Sequence, residues 1–299
     1  MKTKTAVSVC FCLCLSLFPA ASAFAQQNTP YTLRVDVVGR TTRAINYVSH
    51  SGPTTIGFRG TSLQQGAYGE AQVESKRGYT EKKAEVNGML PPTEYGRQYL
   101  TYVLWAVTPQ GRSQNLGEFV LKGARSKLDV TTDLQTFGLI VTAEPYFAVS
   151  QPTDRVVLEN FVRPDTQGHV EEISTHYELL DKKNLAVDRM PGDLKPTILD
   201  TALPLDLQEA RNAMNIAQWA GADRYAPELM STTRDLLFQA EESWVRKAGA
   251  RPVSTISRSV VQNAEDARMI ALSRKQDEDA QAATQAAIEA ASRKPGHRK

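Results

Sequence analysis

Cysteine is nearly absent: the 299 residues contain three, Cys10, Cys12 and Cys14, all within the first 14 positions. Removal of that N-terminal stretch leaves a chain that forms no disulfide, no zinc–thiolate centre and no cysteine nucleophile. Histidine is scarce too, with four residues at positions 50, 169, 176 and 297. The chain contains no G-x-S-x-G elbow, no phosphate-binding G-x-x-x-x-G-K-[ST] loop, no H-E-x-x-H and no G-x-G-x-x-G, and so lacks the short motifs that carry the commonest catalytic and nucleotide-binding chemistries. No excess of one charge is present either. There are 35 Lys+Arg against 33 Asp+Glu, and without Lys2 and Lys4 the balance is 33 against 33, which gives no electrostatic case for nucleic acid. Beyond the N-terminus no apolar run approaches the ~20 residues of a membrane-spanning helix; the longest, at 99–107, covers nine positions.

The first 25 residues read as a signal peptide. Lys2 and Lys4 form a basic start, 6–18 an apolar core, and Ala21-Ser22-Ala23 and Ala23-Phe24-Ala25 are small-residue cleavage patterns. Cleavage is expected near Ala23 or Ala25, which places the mature protein in the periplasm or outside the cell. Cys14 follows Phe11-Cys12-Leu13 and lacks the small residue that usually precedes a lipidated cysteine. No transmembrane span is expected in the mature chain, and its ~270 residues are enough to fold by packing alone.

Two hydrophobic periods divide what remains. Over 26–180, short alternating or apolar runs are separated by Gly, Pro and polar turns, as in "RAINYVS", "TTIGFRG", "GEFVLKG", "FGLIVTAEP" and "DRVVLENFV". The stretch "EAQVESKRGYTEKKAEVNGM" reads as a half-wet hairpin turning at Lys76-Arg77-Gly78. The segment 181–204 carries Pro191, Gly192, Pro196 and Pro204 without sustained period and reads as a linker. After it the period becomes helical. A first helix opens with Asp206 and Glu209 at capping-box spacing and has the stripe Leu207, Ala210, Met214, Ala217 and Trp219. Gly221 ends it. Pro227 suits the first turn of a second helix, with Leu229, Thr233, Leu236, Leu237, Ala240 and Trp244 on one face and Gly249 at its close. A third helix starts near Ser254 with Ile256, Val260, Ala264, Ala267 and Ala271 in coiled-coil-like steps. Continued to Ser292 it would be ~58 Å long and would outrun its partner, so its alanine-rich end is expected to project. The tail 293–299 is a basic cluster.

The fold class predicted is therefore multidomain, β then α. A β-sandwich occupies 26–123; the strands of 124–180 either form an additional β-unit packed on it, the favoured reading, or extend it; the linker follows at 181–204 and a helical hairpin with a long last helix at 205–292. The stretch "LPPTEYGRQYLTYVLWAV" resembles the tyrosine corner and following strand of fibronectin type III/Ig-like sandwiches, through Leu90, Pro92, Glu94 and Tyr95, with Tyr99, Tyr102, Val103, Trp105 and Val107 along the strand. The family's threonine is offset by one place, at Thr93. The resemblance implies that Tyr95 hydrogen-bonds back to the preceding loop and pins a crossover between sheets. The stretch "EARNAMNIAQWAGADRYAPELMSTTRDLL" is similar to a helical domain of unknown function that, in bacterial cell-envelope proteins, often precedes an OmpA-like domain. Ala210, Arg211, Ala213, Ala217, Gly221, Ala222, Tyr225, Ala226, Pro227, Leu229 and Leu236 carry that similarity. No OmpA-like domain is read in this sequence, so its peptidoglycan binding is not carried over.

Candidate sites are few. Glu172, His176 and Glu178 would share one face of a strand, with same-face neighbours ~6–7 Å apart, too far for a common ion without convergence; a solvated face is the expectation. Glu171-Glu172 and Glu241-Glu242 are adjacent in sequence and do not form a dyad. Tyr99, Tyr102 and Trp105 could stack on a sugar, but apolar residues fill both faces of their strand, which favours a buried central strand. No catalytic, cofactor-binding or metal-binding residue is expected. The reading is an exported, non-enzymatic cell-envelope protein acting through contacts with an envelope protein or with itself by its C-terminal helices. The alternative is a carbohydrate- or peptidoglycan-binding module that uses the β-region.

Overall fold

The computed structural model describes residues 37–47, 52–164, 166, 171–180 and 202–292. The signal peptide, almost all of the linker and the basic tail lie outside them. Among the described residues, ten strands precede the long helices: β1 (Val37–Asn46), β2 (Thr54–Gly60), β3 (Tyr68–Lys76), β4 (Tyr79–Asn87), β5 (Thr101–Val107), β6 (Ser113–Phe119), β7 (Arg125–Thr132), β8 (Thr136–Glu144), β9 (Val156–Phe161) and β10 (Glu171–Leu180). The helices are α1 (Leu205–Trp219), α2 (Ala222–Tyr225), α3 (Pro227–Val245) and α4 (Ala250–Ser292). The β-then-α order holds.

Every ladder is antiparallel, and the run β6–β5–β8–β9–β2–β3–β4–β7 curls into a near-barrel. Its two ends, β6 and β7, lie side by side across a short turn closed by the Lys122–Arg125 bridge. β1 joins through the N-terminal end of β8 and pairs along its length with β10. The strands of 124–180 are thus interleaved with those before them: β7 pairs with β4, β8 with β5, β9 with β2 and β10 with β1.

Side-chain alternation makes two cores. Phe58, Val86, Tyr102, Leu104, Ala106, Phe119, Phe137, Leu139 and Val141 point inward and fill the barrel. Val103, Trp105, Val107, Ile140 and Val156 point outward from β5, β8 and β9 and form a second core with Ala210, Ala213 and Ala217 of α1 and Val260, Ala264, Ala267 and Ala271 of α4. All seven residues of β5 are buried for this reason: one face fills the barrel and the other lies under helices. Small side chains on α1 and α4 let these two helices pack closely on each other.

The hairpin at Arg77-Gly78 turns as its sequence demands, with Gly78 at φ +91°. The turn between β5 and β6 needs Gly111 twice over: its φ is +81°, and a Cβ there would lie 2.2 Å from the His176 carbonyl of β10. The corner at 90–95 closes differently from the resemblance. Tyr102 donates to the Leu90 carbonyl (2.9 Å), whereas Tyr95 donates to Gln64 Oε1 (2.6 Å).

Among the helices, Gly221 separates α1 from α2 at φ +90°, and Pro227 opens α3. The capping box is a correction. Pro204, not Asp206, is the N-cap of α1, and no side chain caps it. Helix α4 begins at Ala250, four residues ahead of the Ser254 expected, because Pro252 falls in its first turn, where its missing N–H costs nothing. Its 43 residues span ~65 Å. α4 lies against both α1 and α3, and no helix among the described residues is long and apolar enough to cross a membrane.

Candidate functional site

Three groups of polar side chains sit where the helices meet the sheet. The first joins β6, α1 and α4. Glu118, on the strand that follows the Gly111 turn, accepts from Thr101 Oγ1 (2.7 Å) and from Arg258 Nη1 (3.1 Å). Asp206, in the first turn of α1, accepts from Ser254 Oγ (2.6 Å) and from the same Arg258 Nη1 (2.9 Å). The Arg258 guanidinium stacks 3.6 Å from the centre of the Phe147 ring. Glu209, one helical turn beyond Asp206, is fully buried and neither of its carboxylate oxygens accepts a hydrogen bond. One oxygen from each of Glu118, Asp206 and Glu209 lies within 4.8 Å of the others. Burial, then the neighbouring charge of Glu118, pushes the Glu209 carboxyl well above the usual carboxylate range.

The second group clamps α4 to the loop after β8. Glu265 accepts from Tyr146 Oη (2.7 Å), from the Ser150 amide (2.8 Å) and from both arms of Arg268 (2.7 Å each), and both charged residues are buried. α1 is tied to the same region by Asn212, which donates to the carbonyls of Gln98 (2.8 Å) and Pro145 (3.1 Å). The third group lies beneath Trp105, whose Nε1 donates to Thr142 Oγ1 (2.7 Å), which in turn bonds Glu144. Burial pushes Glu144 up to about 8. Inside the barrel, Lys82 is fully buried, its Nζ 4.5 Å from the Phe137 ring centre, and desolvation lowers it to about 8.

Two surfaces face away from these contacts. The outer face of β2, β3, β4 and β7 carries a shallow groove of about 250 Å³ lined by Thr55, Glu70, Gln72, Lys83, Lys127 and Asp129. Its charges are of both signs and partly paired, as in Lys127–Glu85 (2.7 Å). Along α4, Ala271 is the last buried residue, and every residue from 276 to 292 is exposed. Arg224 and Tyr225 of α2 hold the base of this arm through Glu278.

The residues singled out from sequence fall elsewhere. Glu172 and His176 are exposed on β10, with Glu172 paired to Arg43 (2.9 Å); the Glu171 and Glu178 side chains lie outside the described residues, as do His50, His169 and His297. Glu241 pairs with Arg211 (2.8 Å) and Glu242 with Arg246 (3.3 Å). Tyr99, Tyr102 and Trp105 are buried and offer no stacking surface. The group that does converge, Glu118–Asp206–Glu209–Arg258, comes from three elements far apart in sequence. One signal pointed to it: Glu209, Ala213, Ile216 and Ala220 are spaced i, i+4, i+7 and i+11, so a carboxylate occupies an otherwise apolar stripe.

No protein-family model, curated protein or solved structure matches this chain.

Proposed function

We propose that this chain is an exported, non-enzymatic cell-envelope protein with a structural or adaptor role, acting in the periplasm or outside the cell through the exposed end of α4. The observation that carries the reading is the contrast within one helix. Up to Ala271, α4 is cemented to the sheet by its alanine stripe and the Glu265–Arg268 clamp; from 276 to 292 every residue is exposed, with Glu278 held at the base by α2. A rigid body that presents a helical arm suits protein–protein contact, with another copy or with an envelope partner. The N-terminal basic, apolar and small-residue pattern supports export. The titratable groups at the seam support a non-enzymatic role in that the best-bonded of them, Glu118, Asp206, Arg258, Glu265 and Arg268, are engaged in holding helix to sheet. The corner at Leu90, Pro92, Glu94 and Tyr95 supports a fibronectin/Ig-like ancestry for the β-region, and the 205–237 pattern supports kinship with the envelope helical domain.

Light scattering on the full-length protein and on a form lacking 276–299 tests this. The shortened form is expected to fold and to lose the oligomeric mass, or the partner-bound mass in an envelope extract. Equal masses for both forms would contradict the reading. The second reading, a carbohydrate- or peptidoglycan-binding module, is favoured only by the groove on the outer sheet face. It predicts that the intact protein co-sediments with purified sacculi and that Lys83→Glu with Lys127→Glu abolishes this. The two halves of the chain share a core, so the whole protein is the form to use.

A further inference from the structure

We propose that Glu118, Asp206 and Glu209 bind one hard divalent cation, of the Ca²⁺ or Mg²⁺ class, at the seam between β6 and α1.

One oxygen from each carboxylate lies within 4.8 Å of the others, a spacing that ligands on one oxygen-coordinated ion span when each bond is ~2.0–2.6 Å. The decisive feature is the asymmetry among the three carboxylates. Glu118 and Asp206 each accept from two donors, Thr101 with Arg258 and Ser254 with Arg258. Glu209 is the most deeply buried of the three and accepts from none. A buried carboxylate without a donor is costly, and a counter-charge is what removes that cost.

Charge points the same way. With all three carboxylates ionised around a cation, the single guanidinium of Arg258 leaves two negative charges, which one divalent ion neutralises. Arg258 bridges Glu118 Oε2 and Asp206 Oδ1 from one side; each carboxylate oxygen carries a second lone pair, and no donor engages either oxygen of Glu209. The donors are all oxygen, with no imidazole or thiolate among them, which selects hard cations over zinc or copper. The cluster also has an entry. The Glu118 side chain is 6% exposed, but those of Asp206 and Arg258 are 23% and 42% exposed, so solvent reaches one side and water can complete the coordination shell. An ion here would tie the barrel to the helical layer, and binding would therefore appear as stability.

The test uses the full-length protein freed of metal with EDTA. Thermal unfolding is followed as Ca²⁺, Mg²⁺ or Mn²⁺ is added, and Mn²⁺ stoichiometry is read by electron paramagnetic resonance. One of the ions is expected to raise Tm saturably, by roughly 5–10 °C at a hundredfold excess over Kd, with one Mn²⁺ bound per chain. Glu209→Gln is expected to fold, to match or exceed the parent in EDTA because the buried charge is gone, and to lose the cation response. Glu289→Gln, on the exposed arm, keeps it. No Tm rise with any of the three ions, or an equal rise in Glu209→Gln, would overturn the proposal and leave Glu209 as a carboxyl neutralised by a proton alone. Zero bound Mn²⁺ would overturn it independently of how the variants fold.

Discussion

At the scale of single residues, Trp105 is buried, as the apolar faces of its strand predict, and the structure adds which elements cover it. It lies in the longest apolar run of the chain after the signal peptide and is completely buried, but its indole packs outward, under α1 and α4, with its N–H on Thr142. Trp105→Ala is expected to cost ~3–5 kcal/mol in urea unfolding; an equally stable variant would refute its place in the core. Lys82 gives the opposite case. Only alternation marks which lysine of "YTEKKAEVN" turns inward: it puts Lys82 with Thr80, Ala84 and Val86 on the buried face and Lys83 outside. Its amine, lowered to about 8, is disfavoured in its charged form. The folded pKa lies below the unfolded value near 10.5, so the stability available above 10.5 is lost as pH falls toward 8. Lys82→Met should therefore be more stable than the parent at pH 7, by on the order of 3 kcal/mol, and the gap should close between pH 8 and 10.5. A pH-independent difference between the two proteins would contradict this.

At the scale of elements, period was the reliable guide and chemistry at the seams was not. The hairpin at Arg77-Gly78, the stop at Gly221, the start at Pro227 and the buried stripes of α1 and α4 were all legible, because backbone sterics and amphipathic spacing are local; the second helix instead stops at Val245, ahead of the expected Gly249. The capping-box reading of Asp206 and Glu209 failed for a definite reason: the same i, i+3 spacing that suits a cap also sets two carboxylates on one helical face, and here that face meets Glu118 and Arg258. Nor does spacing reveal that β5 is covered by helices on its outer side, since an all-apolar strand is equally compatible with a second sheet. The Glu265–Arg268 pair is adjacent on α4, yet only the fold brings Tyr146 and the Ser150 amide to it. Glu265→Ala would leave Arg268 buried and unpaired and should cost ~3–5 kcal/mol, with α4 amides near 265 losing hydrogen-exchange protection first. Unchanged stability would show that the clamp contributes nothing to docking.

At the scale of the whole molecule, the two periods predicted separate modules, and the structure joins them. The outward face of β5, β8 and β9 is completed by α1 and α4, so barrel and helices share one hydrophobic core. Among the described residues, the end of α4 lies outside it. There the sequence is rich in alanine, which favours helix but buries little area, and Ile288 stands 58% exposed among the alanines. That arm is the surface on which the adaptor reading rests. Because all three cysteines lie at positions 10, 12 and 14, a protein beginning after the expected cleavage site with Ile288→Cys would carry a single thiol. Cross-linking through that thiol, beside a control with Ser259→Cys on the exposed side of the docked part of α4, measures the claim directly. The account predicts a discrete covalent product, a dimer or one partner adduct, from position 288 and none from 259. Monomer alone from both positions, under conditions where both thiols react with a small reagent, would contradict it.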